Sequence, residues 1–207
     1  MNRAVGAVFL VIFAVVAAAL LAWMNGQTRD RIANNELQQR LRALRQVLPT
    51  DAYDNEPHLD VVMVADPELL GSAQLQPAYR ARSEEQPVAV VLTAVAPNGY
   101  VGEIRMLVGI GIDGRVVAVR TTAHSETPGL GDRIEAGKSD WIDSFTGLQT
   151  ENPLDRDWVL TKDGGMFDHM SGATITSHSV VTAVRNAVIY FNANREILLA
   201  APRPEER

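Results

Sequence analysis

The sequence predicts an α+β protein: a mostly antiparallel sheet with flanking helices, preceded by one N-terminal transmembrane helix. Three observations predict it. The chain opens on an uncharged apolar run, its middle carries β-rich segments bounded by Pro, Gly or Asp, and its last third carries apolar residues at helical spacing. With 207 residues, of which 46% are hydrophobic and 21% charged, the chain is long enough to bury the core of about one globular domain.

The composition excludes several functions. A formal net charge of −6, without interleaved basic and aromatic residues, argues against nucleic-acid binding. Zero cysteines exclude disulfides, thiolate nucleophiles, iron–sulfur ligation and the usual structural zinc sites. The acidic residues show no spacing typical of a metal site. Any redox chemistry must therefore come from an organic cofactor or from another subunit.

The N-terminal apolar run has the length of a membrane span. Residues 4–24 lack charge, and at about 1.5 Å per residue they extend for about 30 Å, which predicts a transmembrane anchor over residues 1–26. A cleavable signal peptide with small residues at 17–19 is the alternative, but the run exceeds the usual ~7–15 residues of such signals. Only Arg3 precedes the run, whereas four arginines follow it within 29–42; this count favours a cytoplasmic C-terminal part. It leaves the orientation open, because long domains cross membranes largely regardless of charge.

An amphipathic helix or linker is predicted over residues 27–50. Thr28 or Asp30 is a plausible N-cap, and Pro49 is a stop signal. We expect this helix to pack on the globular domain; contact between its arginines and lipid phosphates is the alternative.

A globular domain is predicted over residues 51–200. Four segments have the pattern of strands: 59–66, 87–97, 100–112 and 115–124. Asp113 and Gly114 predict a tight hairpin turn that joins the last two of these as antiparallel neighbours. Three further elements follow: a strand at 158–161, a helix at 174–199 and a polar tail at 201–207.

Hydroxyl side chains crowd the start of the last predicted helix. The stretch "SGATITSHS" carries five of them: Ser171, Thr174, Thr176, Ser177 and Ser179. The first amides of a helix lack intrahelical partners and lie at the positive end of its dipole, so a phosphate group fits there. Gly172 lets the backbone approach such a group, and the flanking hydroxyls, including Thr176 and Ser177, are expected to donate hydrogen bonds to it. Simple N-capping by Ser171 or Thr174 is the alternative.

The run "DHMSGAT", from Asp168 to Thr174, resembles the Asp-x-x-Ser/Thr-Gly-Ala-Thr signature of covalently flavinylated FMN-binding domains. Within that family the chain is most similar to the G subunits of Rnf-type electron-transport complexes, and less so to the longer C subunits of Na+-translocating NADH:quinone oxidoreductases. The resemblance implies that the Thr174 hydroxyl is esterified to the phosphate of FMN. It also implies that Asp168, Ser171, Gly172 and Ala173 complete the sequence recognised by a separate Mg2+-dependent flavin transferase, which uses FAD as the FMN donor.

A second motif is the loop "HSETPGLG", residues 124–131. Pro128 followed by Gly129 predicts a turn with a positive φ, and Gly131 repeats that option. The same loop is characteristic of the resembled family, where it lies at the flavin. The resemblance therefore places four residues near the isoalloxazine ring: Glu126, Thr127, Gly129 and Leu130. Leu130 would be an apolar contact, and Thr127 or backbone groups would be hydrogen-bond donors.

The function implied by the resemblance is that of a membrane-anchored electron-carrier subunit, not catalytic by itself, in a complex that couples electron transfer between ferredoxin and NAD+ to movement of Na+ or H+. Polytopic partner subunits would translocate the ion, because a single span cannot form an ion pathway. The resemblance implies an inner-membrane protein with a periplasmic C-terminal domain. Two alternatives stay open: an anchored domain that binds a phosphorylated ligand noncovalently, and a stand-alone FMN-dependent reductase, for which Arg133 near the second motif is a candidate substrate-binding cation.

Overall fold

The structure is a computed structural model that describes residues 3–48, 51–150 and 157–200. The chain forms two compact units, residues 1–41 and residues 42–207. The first unit belongs to one long helix, α1 (Arg3–Val47), whose last turns belong to the second unit. In the part of the chain that is described, no helix combines the length and the apolar character needed to cross a membrane. The span over residues 4–24 therefore stays a prediction.

Helix α1 is continuous where two elements were expected. A new helix start at Thr28 or Asp30 is wrong, because the helix passes through both positions without a break. Extending an existing helix fixes one residue for each hydrogen bond gained, whereas ending and restarting it requires a new nucleus. With no proline between Arg3 and Val47, the sequence contains nothing that forces such a break.

The second unit is built on a five-stranded antiparallel sheet whose spatial order, β1-β2-β3-β4-β5, equals the chain order. The strands are β1 (Val61–Asp66), β2 (Ser72–Ser83), β3 (Gln86–Ala96), β4 (Ile104–Gly111) and β5 (Val116–Ala123). The four expected strands and the hairpin between β4 and β5 are confirmed, with Gly114 at a φ of 85° in the turn. Strand β2 was not expected, and it pairs with both β1 and β3.

Both faces of the sheet are buried. Alternate side chains of β3 point to opposite faces and so belong to two different cores. Val90, Leu92 and Ala94 belong to the main core with helix α2 (Thr174–Ala193), whereas Ala89 and Val91 belong to a smaller core on the opposite face. Each fully buried Val or Leu contributes about 1.5–3 kcal/mol to this packing. The two cores hold the sheet between α2 on one side and the end of α1 on the other.

The end of α1 packs directly on the sheet. Leu44, Val47 and Leu48 are buried in the smaller core. A Cβ at Gly109 of β4 would lie 2.3 Å from the carbonyl oxygen of Val47, so only glycine permits this approach. Packing of this segment on the globular domain is therefore confirmed for its last turns.

Two buried arginines tie the C-terminal end of the described chain to the sheet. Arg80 and Arg82 of β2 donate through Nε to the two oxygens of Asp60, at 2.5 and 2.7 Å. Both guanidinium groups also donate to the carbonyl oxygen of Ala200. Because the arginines are buried, their ion pairs with Asp60 offset part of the cost of burying their charge.

Two expectations for the C-terminal third need correction. The strand at 158–161 is wrong: this segment makes one isolated bridge, between Leu160 and Phe167, and then a short 3-10 helix that ends in a left-handed turn at Gly164. The predicted helix at 174–199 is two helices, α2 and α3 (Arg195–Leu199), separated at Asn194, whose side-chain amide bonds the carbonyl of Tyr190. The predicted polar tail lies outside the described residues.

Candidate functional site

Helix α2 begins without a side-chain cap. Ala173 occupies the N-cap position, and the first hydrogen bond of the helix runs from the Ser177 amide to the Ala173 carbonyl at 3.0 Å. Simple capping by Ser171 or Thr174 is therefore wrong. Because alanine has no polar side chain, the amides at the start of the helix are left for another acceptor.

Thr174 is the first residue of this uncapped helix. Its side chain is half-buried, and its hydroxyl has no hydrogen-bond partner among the described residues. Ser171 and Gly172, which precede it, are exposed. The arrangement leaves one accessible threonine hydroxyl at the positive end of a helix that is 20 residues long.

The structure brings the two motifs together at Gly172. This residue has a φ of 78°, a conformation that favours glycine, and a Cβ placed on it would lie 3.1 Å from Cδ2 of Leu130. Leu130 therefore lies over the turn that leads into Thr174. Its side chain is itself 43% exposed, so it offers an apolar surface beside the open hydroxyl.

The neighbouring hydroxyls have other partners. Thr176 and Ser177 are both fully buried. Thr176 Oγ1 donates to Glu126 Oε2 at 2.6 Å, and Ser177 Oγ donates to the Ala173 carbonyl and accepts from the Met170 amide, both at 3.0 Å. The structure thus places both side chains inside the protein, and their expected hydrogen bonds to a phosphate stay a prediction.

Glu126, which was expected near the isoalloxazine ring, is enclosed by protein. It is only 4% exposed, and both of its carboxylate oxygens are occupied: Oε1 accepts from the Val101 amide at 3.1 Å, and Oε2 accepts from Thr176. Its own amide donates to Nδ1 of His124 at 3.1 Å. Glu126 therefore connects protein segments and does not face the open surface.

The rest of the second motif is a tightly folded turn. Thr127 and Gly129 are exposed, and Gly129 has the expected positive φ, at 79°. Gly131 does not have the positive φ that was expected of it. It starts a 3-10 helix (Gly131–Ile134), and glycine is required there because a Cβ would lie 2.7 Å from Oε2 of Glu126. Asp132 accepts from the Gly129 amide at 2.8 Å, which fixes the tip of the turn.

A charged cluster that was not predicted from the sequence supports this turn. Lys138 bonds Asp132 at 2.9 Å and Glu135 at 2.7 Å, and these hydrogen bonds hold the pKa of each carboxyl below its usual value and raise the pKa of the Lys138 ammonium. His124 Nδ1 accepts from a backbone amide, so its Nε2 carries the proton and donates to Glu135 at 3.0 Å. The spacing of Asp132, Glu135 and Lys138 along the chain was the available signal.

Aromatic packing supports the first motif from the other side. Four rings form one cluster: Trp141, Phe145, Trp158 and Phe167. The indole N–H of Trp141 donates to the carbonyl of Asp168 at 2.6 Å, which fixes the first residue of the motif. The side chain of Asp168 is exposed.

No group of three or more His, Asp or Glu side chains in the described ranges could hold a metal ion. The site consists of an open threonine hydroxyl, free helix amides and an apolar leucine. The helix amides can bind a phosphate, and the leucine can contact a flat apolar ring. The residues present therefore fit FMN.

Comparison with known proteins agrees with this fit. The fold and the site define an FMN-binding domain, whose family model matches residues 99–189, from the β3–β4 loop to the last turns of α2. A model of the RnfG N-terminal region matches residues 4–47. The chain belongs to the family of G subunits of ion-translocating oxidoreductase complexes, because relatives of that name are 40% identical or more over nearly its whole length.

Two of these relatives illustrate the match. The G subunit of the ion-translocating oxidoreductase complex of Pseudomonas aeruginosa (strain UCBPP-PA14) is 48% identical over 97% of this chain and 92% of its own. The corresponding G subunit of Shewanella baltica is 44% identical over 93% of this chain and 91% of its own. Among solved structures, the crystal structure of Shewanella oneidensis NqrC matches with a TM-score of 0.48 and 20% identity, over 70% of this chain and 74% of that one.

Proposed function

We propose that this chain is the electron-carrying subunit of an ion-translocating oxidoreductase complex and that it holds FMN through a phosphoester at Thr174. The observation that carries the proposal is the start of α2, where Thr174 has an accessible hydroxyl without a partner and Ala173 leaves the helix uncapped. When bound, the flavin accepts and passes on electrons. The chain itself supplies the residue to which the cofactor is attached and the groups that orient it.

Attachment requires a donor and an external catalyst. With FAD as the donor, a P–O bond forms between Thr174 Oγ and the phosphorus of the FMN half, the bond to the bridging pyrophosphate oxygen breaks, and AMP leaves. The hydroxyl proton passes to a base. A threonine hydroxyl is a poor nucleophile unaided, and no described histidine or carboxylate bonds to Thr174, so a separate Mg2+-dependent flavin transferase supplies the base.

Three features of the site orient the cofactor. The free amides and the helix dipole at the start of α2 stabilise the negative charge on the phosphodiester. Leu130, positioned over Gly172, provides an apolar contact for the isoalloxazine ring. Thr127 at the tip of the same loop is exposed and provides a hydroxyl donor for the polar edge of the ring, beside Gly129, whose own amide donates to Asp132.

Electrons must enter and leave through other subunits of the complex, because this chain has no cysteine with which to bind an iron–sulfur cluster.

We place the chain at the inner membrane with its C-terminal domain on the periplasmic side. Support for the membrane position, though not for the orientation, comes from the apolar side chains of α1, several of which are more than half exposed, such as Leu10 at 71% and Phe13 at 72%. These side chains need an apolar environment, which lipid or membrane-embedded partner subunits supply. Those partners also provide the path for Na+ or H+.

The test is retention of flavin after denaturation. The full-length chain and its Thr174→Ala variant are each expressed with a flavin transferase, denatured, and examined by intact mass and by ultraviolet fluorescence in the gel. Thr182→Ala is the matched control, because Thr182 is another hydroxyl of α2 that bonds the His178 carbonyl. We expect flavin on the original and on Thr182→Ala, and none on Thr174→Ala.

Two outcomes would contradict the proposal. Flavin that copurifies with the native chain but washes away on denaturation would show noncovalent binding. Flavin that survives on Thr174→Ala would show attachment at another residue.

A further inference from the structure

We infer that Glu126 is a positioning residue: it holds the first turn of α2, and with it Thr174, in the geometry that flavin transfer requires. This inference rests on the proposed function and deepens it. It assigns to Glu126 a role through the protein and not through contact with the ring.

Glu126 joins three segments that are distant in the sequence. It follows β5, and its carboxylate reaches the loop between β3 and β4 at the Val101 amide and reaches α2 at the Thr176 hydroxyl. Both partners donate, so the ionised carboxylate satisfies both of them. Hydrogen bonds from neutral donors to a buried charge are among the stronger ones in proteins.

Two glycines restrict the position of the Glu126 carboxylate. A Cβ at Gly99 would lie 2.8 Å from Oε1 of Glu126, and a Cβ at Gly131 would lie 2.7 Å from Oε2 and 2.9 Å from Cβ of the same residue. The backbone thus encloses Glu126 from both sides. A side chain held this closely, with both oxygens bonded, determines where Thr176 lies.

The position of Thr176 determines that of Thr174. The two residues share the first turn of α2, whose N-cap makes no side-chain hydrogen bond of its own. In that turn, hydroxyl contacts to the rest of the protein come from Thr176 and from Ser177, which bonds the Met170 amide. Without the bond to Glu126, the turn keeps only the Ser177 contact of these two, and the backbone that carries Thr174 is held less firmly.

The experiment measures the rate of flavin transfer to the purified full-length chain by the purified transferase with FAD. Thr176→Val removes the donor and keeps the shape, whereas Thr176→Ser keeps the hydroxyl. Glu126→Gln keeps the length of the side chain, and its amide can donate to the Thr176 oxygen while its carbonyl accepts from the Val101 amide. Val188→Ala, in the buried middle of α2, lowers stability without touching Glu126 and is the matched control.

We expect Thr176→Val to slow transfer by about tenfold to a hundredfold, the cost of a small misplacement of a reacting group. Thr176→Ser, Glu126→Gln and Val188→Ala are expected to react at close to the original rate. If Thr176→Val does not fold, Glu126→Asp replaces it with the same expectation, because the shorter side chain cannot reach both partners.

Three results would overturn the inference: an unchanged rate for Thr176→Val, a rate for Glu126→Gln as slow as for Thr176→Val, or equal slowing by Val188→Ala. The first would show that position is not limiting, the second that charge and not position matters, and the third that stability alone is responsible. If the unmutated chain itself accepts no flavin at Thr174, the proposed function fails, and this result is distinct from all three.

Discussion

Gly131→Ala should destabilise the second unit through one defined collision. The added Cβ would lie 2.7 Å from Glu126 Oε2, 2.9 Å from Glu126 Cβ and 3.1 Å from Thr176 Oγ1. The first two distances are shorter than van der Waals contact, and the atoms involved belong to a buried side chain with little freedom to move. The backbone of Gly131 is not in the left-handed region, so the whole effect comes from packing.

The expected cost is that of overpacking a buried site, about 1–3 kcal/mol. Displacement of Glu126 would add to it by weakening the bond to Thr176. For a urea dependence of about 2 kcal/mol per molar, this cost lowers the urea midpoint by about 0.5–1.5 M. The slope of the transition should not change, because the surface exposed on unfolding is the same.

The assay is equilibrium urea unfolding of the flavin-free chain, followed by tryptophan fluorescence. Gly137→Ala is the matched control, since no atom lies within 4 Å of its added Cβ and its backbone is also unstrained. We expect that control to be neutral or more stable by up to about 1 kcal/mol, through the reduced entropy of the unfolded chain. Equal midpoints for the two variants would refute the packing argument around Glu126.

Three further predictions concern regions outside the contact of Gly131 with Glu126. Asp60→Ala removes the carboxylate that bonds both buried arginines of β2 and should cost about 3–5 kcal/mol in urea unfolding; a loss below about 1 kcal/mol would contradict this. The pKa values of Asp132 and Glu135 are lowered on folding, so these carboxylates contribute stability above their unfolded pKa values of 3.8 and 4.5, and this stability is lost as the pH falls through the lowered folded values. Lys138→Met removes the cause of the lowering and should make the decrease of the urea midpoint at acid pH shallower. An unchanged pH profile of the midpoint would contradict this prediction. Phe167→Ala removes a ring that packs on two others and should cost about 3–5 kcal/mol; unfolding at the original midpoint would show that the aromatic cluster is not a core.

The sequence predicted those strands whose own side chains determine them. Strands β3 and β4 are rich in Val, Ile and Leu, and the Asp-Gly pair identified the hairpin after β4. Strand β2 was missed because it carries Gln, Pro and two Arg where a buried strand normally carries apolar residues. Arg80 and Arg82 are tolerated there because Asp60, about 20 residues earlier, bonds both of them. Such a partner is set by the fold and has no local signal.

The sequence predicted where the site lies but not which of its residues has which role. Residue type alone does not distinguish the five hydroxyls, of which the resemblance singled out Thr174; in the structure, burial separates the open Thr174 from the enclosed Thr176 and Ser177. The resemblance placed Glu126 near the isoalloxazine ring, and nothing in the sequence indicated its hydrogen-bond partners, which lie 25 residues before it and 50 residues after it. Contacts at such separations arise only when the sheet and α2 are assembled. The capping interpretation failed for a local reason, since Ala173 and not a hydroxyl residue occupies the N-cap.

The most direct test of covalent attachment is to locate the flavin within the chain. The full-length protein, expressed with a flavin transferase, is denatured and digested, and the fluorescent peptide is sequenced by tandem mass spectrometry. We predict a single peptide that contains the start of α2, with the mass of one FMN less one water carried by Thr174 and not by Ser171, Thr176, Ser177 or Ser179. An unmodified Thr174 in that peptide, or the same added mass on another hydroxyl, would contradict the assignment.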